Sequence, residues 1–181
     1  MTGFALFETP IGTCAIAWGT AGIVGFQLPE ASPAVTARRI RERHAAEEAD
    51  PPAEVQAAIE DVIALLEGED RDLLGVAVDL AGKPEFHRQV YEIARKIPPG
   101  STMTYGEIAS RLGDPGAARA VGQALGKNPV PVIVPCHRVL AAGGRTGGFS
   151  AHTGTRLKLR LLEIERRHSQ VPDLFGASLA S

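Results

Sequence analysis

A thiol, an imidazole and a guanidinium stand side by side in Pro135-Cys136-His137-Arg138-Val139. A cysteine attacks as its thiolate, and with a free pKa of about 8.5 it needs a base to become one at neutral pH. A histidine next in sequence is such a base only where the backbone brings both side chains to one place. On a continuing strand, neighbours point to opposite faces and Cys136 and His137 cannot cooperate. Pro135 removes a ladder donor, so the spacing predicts that the chain turns there. The apolar, β-branched run Val130 to Val134 is expected to arrive as a buried strand. For an isolated cysteine, an inert buried thiol at a strand end is the commoner case. The rest of the chain must lift Cys136 above it.

The elements that would position this stretch come in two groups. Residues 1–82 read as a small β-meander with helices. Phe4 to Leu6, Thr13 to Trp18 and Gly22 to Leu28 are predicted strands, with Thr9-Pro-Ile-Gly12 as a turn. Pro33 to about Ala45 is a predicted helix carrying Arg38, Arg39, Arg41 and Arg43, and Glu47 to Pro52 reads as a linker. Ala53 to Glu67 places Val55, Ile59, Val62 and Leu66 on one helical stripe, and Leu73 to Leu80 is expected to close the region as a strand. Cys14 falls inside a strand pattern and reads as core. No chemistry is evident in this half.

From Ala81-Gly-Lys-Pro84 onward the pattern changes. Pro84, at a first helical position, opens a helix with Phe86, Val90, Ile93 and Ile97 on one face. Thr104 and Glu107 have capping-box spacing, with Met103 and Ile108 as a hydrophobic staple, and start a helix over Tyr105 to Leu112. Gly113 stops it, and Asp114-Pro115 caps and launches a second helix, Gly116 to Leu125. Two short helices so joined read as a helix-turn-helix. In the second, Ala117, Ala118, Ala120 and Gly122 surround one long side chain, Arg119. On the residues alone, close packing on a neighbouring helix is the simpler account of that composition. The glycine-rich Ala141 to Ser150 loop lacks a phosphate-loop Gly-Lys-Ser/Thr and the dinucleotide fingerprint. A last helix, about Thr155 to Arg167, buries Leu157, Leu161 and Ile164 and brings Lys158 and Glu165 close together on one face. From Ser169 the chain reads as a frayed tail.

Composition sets limits. The 181 residues are 44% hydrophobic and 22% charged, as in ordinary globular chains. No apolar run approaches the roughly 20 residues that span a bilayer, and the first residues lack a basic leader region. Two distant cysteines make no disulfide framework, so a reducing cytoplasm is the expected location. Neither cysteine has zinc spacing around it and the five histidines are scattered, so no metal is expected. The formal charge of −2 hides a split: residues 1–82 carry 5 Lys/Arg against 14 Asp/Glu, and residues 83–168 carry 14 against 6. The split divides the chain into domains 1–82 and 83–168 with a tail 169–181, and points the second domain at a polyanion.

Taken together, the motifs resemble a known family. Pro135-Cys136-His137-Arg138-Val139, Asn128-Pro-Val-Pro, Ala117-Ala-Arg-Ala-Val-Gly122, Thr104-Tyr105-Gly-Glu-Ile-Ala109, Gly148-Phe-Ser150 and Leu161-Leu-Glu-Ile-Glu165 match, in the same order, the O6-alkylguanine-DNA alkyltransferases. The match runs from about Phe86 to Glu165 and is only compatible before that. The resemblance implies an α/β protein with a ribonuclease-H-like N-terminal domain and a helical, winged-helix-like C-terminal domain containing the helix-turn-helix. It implies Cys136 as alkyl acceptor, His137 as its base through a water, and Glu165 orienting the imidazole. Asn128 would brace the turn, and Tyr105 would donate to the departing guanine. Val139, Phe149, Ser150, Lys158 and Arg138 are implied at the substrate pocket. Thr104, Ala117, Ala118, Arg119, Ala120 and Gly122 are implied on the DNA side, with Arg119 filling the stack vacated by a flipped base. The implied partner is double-stranded DNA bearing O6-alkylguanine, met in the minor groove by a monomer without cofactor. The thioether product has no leaving route, so each molecule would act once. Phe149 replaces a tyrosine of many relatives, and Ala151-His-Thr-Gly154 is a slightly longer loop.

Three other readings were weighed. A non-catalytic damage binder of the same fold lacks the cysteine present here. A helix-turn-helix regulator leaves Cys-His-Arg and Glu165 unexplained. A cysteine hydrolase draws nucleophile and base from distant sequence positions and has no use for an arginine-bearing DNA helix.

Overall fold

The computed structural model describes residues 1–144 and 154–169. Three antiparallel strands, β1 (Gly3–Thr9), β2 (Gly12–Gly19) and β3 (Gly22–Gln27), form the predicted meander. The linker predicted over Glu47 to Pro52 instead starts as a fourth strand, β4 (Glu47–Glu48), parallel to β1, giving the order β3-β2-β1-β4. Two residues of pairing suffice because Glu47 and Ala49 donate their N–H groups to the carbonyls of Thr2 and Phe4.

The alternation along β2 assigns its two faces. Ala15 and Ala17 pack with Phe4, Ile40 and Ala46 beneath helix α1 (Pro33–His44), while Cys14, Ile16 and Trp18 face the main core. Small residues on the α1 side allow the helix close to the sheet. At Gly25 a Cβ would lie 2.1 Å from His44 Nε2, so glycine there lets the imidazole at the end of α1 rest on the sheet. Ser32 caps α1 as its Oγ accepts from the Val35 N–H. Helix α2 (Ala53–Leu66) buries the predicted stripe of Val55, Ile59, Val62 and Leu66.

The predicted strand over Leu73 to Leu80 is not formed. That segment makes one bridge, Ile23 with Val78, held by Ile23 N–H to the Ala77 carbonyl and Asp79 N–H to the Ile23 carbonyl. A local turn, Val76 N–H to the Leu73 carbonyl, and the grip of Arg95 on the carbonyls of Leu73, Leu74 and Val76 use its polar groups instead. Pro84 is the N-cap rather than the first residue of α3 (Glu85–Arg95). The buried face of α3 is also turned from the predicted stripe: Val90, Tyr91 and Ala94 are deepest, with Phe86 and Ile93 half-buried. Tyr91 is drawn inside because its hydroxyl donates to the Ala124 carbonyl at 2.7 Å.

Helix α4 (Tyr105–Arg111) opens with the full capping box: Glu107 N–H donates to Thr104 Oγ1 and Thr104 N–H to the Glu107 carboxylate. Gly113, at φ +82°, ends the turn region after it. Asp114 then caps a single 3₁₀ turn, Pro115–Ala117, and the α-helix proper, α5 (Ala118–Gly126), starts two residues later than the sequence predicts. Two short parallel strands, β5 (Met103–Thr104) and β6 (Val139–Leu140), pair Met103 with Val139 and Thr104 with Leu140. Helix α6 (Gly154–Ser169) closes the fold. One contiguous apolar core runs from Ile16 and Val62 through Tyr91, Ile108 and Val121 to Leu161. Among the described residues, no helix is long and apolar enough to cross a membrane.

Candidate active site

The buried strand expected over Val130 to Val134 is a compact turn. Pro129 and Pro131 have no N–H to give a ladder. The run buries itself by curling, with Val134 N–H bonded to the Val130 carbonyl and Val132 in the left-handed region at φ +73°. A β-branched residue there is strained, and Asn128 helps hold it. Asn128 Oδ1 accepts from Val130 N–H at 3.0 Å while Nδ2 donates to the Val134 carbonyl at 2.8 Å. Pro135, at φ −80° and ψ 66°, is the centre of an inverse γ-turn closed by Cys136 N–H to the Val134 carbonyl. Cys136, His137 and Arg138 follow as one 3₁₀ turn, so their side chains are no longer bound to opposite faces.

All three side chains are buried, and Glu165 of α6 meets two of them. His137 Nε2 lies 2.7 Å from Glu165 Oε1. An ionised carboxylate only accepts, so Nε2 carries the proton and the Nδ1 lone pair remains. Among the described residues that Nδ1 is buried with no hydrogen-bond partner. Arg138 does not line the cleft described below. Its guanidinium donates through Nε and Nη2 to Glu165, at 2.7 Å for Nη2 to Oε1, and through Nη1 to the Ile97 carbonyl at 2.6 Å. It braces the carboxylate from behind, where the sequence placed it in a substrate pocket.

The electrostatics follow from this burial. Desolvation pushes the Cys136 thiol above its ordinary value, against the opposing pull of Asn128, Lys158 and the N–H groups of Cys136 and His137. Desolvation also pushes His137 below its ordinary value, although Glu165 works to raise it. Burial would raise Glu165, but His137 and Arg138 outweigh it and hold the carboxyl at about 2. At neutral pH the site is therefore a neutral thiol, a neutral imidazole and a carboxylate. Such a thiol reacts only if its proton leaves as the new bond forms, and the buried, unpartnered Nδ1 lone pair of His137 is able to accept a proton.

Cys136 opens on a cleft of about 220 Å³. Tyr105 and Gly122 line it from the helix-turn-helix, Asn128 from the turn, and Lys158 from α6. The β5–β6 pair explains the meeting of Tyr105 with Cys136, because it ties the residue before Tyr105 to the strand that follows Arg138. Burial raises the Tyr105 hydroxyl, which stays a donor. Lys158 is buried and donates to the Val139 carbonyl at 2.7 Å, with burial lowering its pKa and Cys136 opposing. In the first turn of α5, Arg119 is exposed, while Ala118, Ala120, Gly122 and the preceding Ala117 are half-buried. A Cβ at Gly122 would come to 4.0 Å from the Tyr105 ring, which is ordinary contact. Thr104 is spent as the cap of α4. Phe149 and Ser150, and the tail from residue 170, lie outside the described residues. Among the described residues no cluster of His, Cys, Asp and Glu is arranged to hold a metal ion.

The N-terminal half, in which the sequence shows no chemistry, supplies the opposite wall. Gln27, Leu28, Pro29 and Glu30, with Arg39 and Arg43 of α1, line the cleft. Phe26 N–H of β3 donates to the Pro129 carbonyl at 2.9 Å, so the edge of the meander holds the cysteine turn. Of this wall the sequence shows only the arginine cluster of α1, and nothing along the chain links it to Cys136, more than 90 positions away.

Residues 85–167 match the model of the 6-O-methylguanine DNA methyltransferase DNA-binding domain. The methylated-DNA–protein-cysteine methyltransferase of Methanothermobacter thermautotrophicus is 32% identical over 86% of this chain and 81% of its own. That of Mycolicibacterium paratuberculosis is 46% identical over 62% of this chain and 66% of its own, slightly under two thirds of its length. The crystal structure of Mycobacterium tuberculosis OGT in complex with DNA superposes with a TM-score of 0.75 at 35% identity, over 92% of this chain and 94% of that one. The mixed α/β fold is therefore that of known structures, and the chain belongs to the methylated-DNA–protein-cysteine methyltransferase family.

Proposed function

We propose that this protein repairs DNA by moving the alkyl group of O6-alkylguanine directly and irreversibly to Cys136. The observation that carries the reading is the buried Cys136-His137-Glu165 arrangement opening on a cleft beside Tyr105. The thiol proton passes, through a water, to Nδ1 of His137 as Sγ attacks the alkyl carbon. The carbon–O6 bond breaks with its electrons moving into the guanine ring, which takes a proton from Tyr105. The imidazolium proton then returns to the tyrosinate by way of solvent. The net change is thiol plus O6-alkylguanine to thioether plus guanine. Glu165 favours the imidazolium while it exists, and Asn128 keeps the turn in shape. Backbone groups of Cys136 and Val139 read the guanine edges, with Lys158 supporting the wall; the family resemblance adds Phe149 and Ser150 to this pocket.

A base within a duplex cannot reach this cleft, so the lesion is flipped out. Ala117, Ala118, Ala120 and Gly122 let α5 lie close against the minor groove, Thr104 stands at its edge, and Arg119 fills the vacated stack. We read residues 1–82 as a ribonuclease-H-like domain, 83–168 as a winged-helix-like alkyl-acceptor domain and 169–181 as a tail, in a monomer acting in the cytoplasm. The presence of Cys136 weighs against a non-catalytic damage binder. Incubation with a methylguanine oligonucleotide should add one methyl group per chain, on the peptide containing Cys136, measured by mass spectrometry. Repeated turnover, or methylation elsewhere, would overturn the mechanism.

A further inference from the structure

We infer that helix α1 of the N-terminal half is a second DNA-contacting surface, which grips backbone phosphate next to the flipped base through Arg39 and Arg43. The inference rests on the alkyl-transfer reading and adds a partner contact to a half of the chain that otherwise scaffolds. Its first support is where the charge lies. Residues 1–82 hold 14 acidic and only 5 basic residues, and four of those five, Arg38, Arg39, Arg41 and Arg43, fall within six positions of α1. All four are exposed. In a half so acidic, four of the five basic side chains are gathered on this one helix, where a polyanion can meet them together.

The second support is position. Arg39 and Arg43 line the same cleft as Cys136, opposite Gly122 and Gly126 of α5, and with Arg38 and Glu42 they also form an adjoining concavity on the outer side. The third is how weakly the cluster is tied down. Arg39 reaches Glu30 through Nε at 3.3 Å, an exposed pair of small worth that leaves the terminal nitrogens of its guanidinium outside that contact. Arg41, by contrast, stands over the Phe4 ring at 5.4 Å and is anchored to the fold. A nucleotide that enters the cleft from α5 brings its phosphates past the opposite rim, and forked guanidinium groups suit phosphate oxygens.

The test uses the full chain in a Cys136→Ser background, which blocks transfer, and duplex DNA bearing one O6-methylguanine, with binding followed by fluorescence anisotropy across a salt series. Arg39→Ala/Arg43→Ala should weaken binding and lower the slope of log affinity against log salt by about 2, one per phosphate contact. Arg71→Ala, which removes a distant basic residue of the same half paired with Asp61 and Glu69, should leave the slope as in the parent. A parental slope and affinity in the double variant, or the same change in Arg71→Ala, would overturn the inference. Reaction of the unsubstituted chain with free benzylguanine separates this from the underlying reading. If Cys136 accepts no benzyl group the alkyl-transfer reading fails, whatever the slopes.

Discussion

Cys14 and Cys136 are alike in the properties usually used to find a reactive cysteine, and their surroundings differ entirely. Both are buried and neither is in a disulfide. Both thiols are pushed up by burial, Cys14 to about 12 with Thr9 opposing and Glu8 reinforcing. Cys14 lies on β2 against the core, its Sγ 3.7 Å from Thr9 Oγ1. Cys136 lies on a turn, borders a cleft, and precedes a histidine whose free nitrogen is set by a carboxylate. Burial alone makes a thiol inert, and on the proposed mechanism a cleft with a base beside it makes the same burial useful.

The largest effect expected from breaking this contrast is on the acceptor itself. Cys136→Ser should abolish methyl uptake by the chain in the mass-spectrometric assay. Next, His137→Gln leaves the Glu165–Arg138 pair in place and removes the base, and should slow benzylguanine transfer by roughly 10²- to 10⁴-fold. In the parent, the rate should hold level between the lowered pKa of His137 and the raised pKa of Cys136, so no step is expected at pH 6.5. A rate that climbs with thiolate formation would show that the relay is idle.

A third effect is on stability. Glu165 is held at about 2 against an ordinary 4.5, so its contribution is fully present above pH 4.5 and is lost as pH falls through 2. Urea unfolding should show a decline on the order of 3 kcal/mol from this group over that window. Glu165→Gln should flatten that part of the curve. Fourth, Arg119→Ala should slow repair in duplex DNA by on the order of tenfold or more, since unstacking costs a few kcal/mol, while sparing free benzylguanine; equal losses would contradict its stack-filling role. Smallest of all, Cys14→Ala should cost about 1 kcal/mol of stability or somewhat more and leave one methyl per chain. If it lowered that stoichiometry, the contrast between the two cysteines would fail.

Much of this was legible in the residues. The capping box at Thr104 and Glu107 and the amphipathic α2 depend on neighbours three or four positions apart, the three-strand meander on tight turns between adjacent strands, and all formed as read. The misread segments share another origin. Val130 to Val134 has the composition of a strand, but its flanking prolines leave no ladder, and only the Asn128 bonds and the surrounding core decide the turn. Leu73 to Leu80 has the right residues for a strand and a partner for only one bridge. Arg138 looks like a pocket residue from its place beside Cys136, yet its length lets it reach backward to Glu165 and Ile97.

The sequence by itself determined that a cysteine, a histidine and an arginine would leave a proline-marked turn together, that a capped helix pair would precede them, and that basic charge would collect in the second half. These are local facts, set by bonds and spacings along the chain. Tertiary structure alone decided that Glu165, 28 positions away, would accept from His137, that β5 and β6 would bring Tyr105 to Cys136, and that Gln27, Arg39 and Arg43 would face them. Such meetings follow from which faces of distant elements share one core, and side-chain types do not encode that until the core is packed.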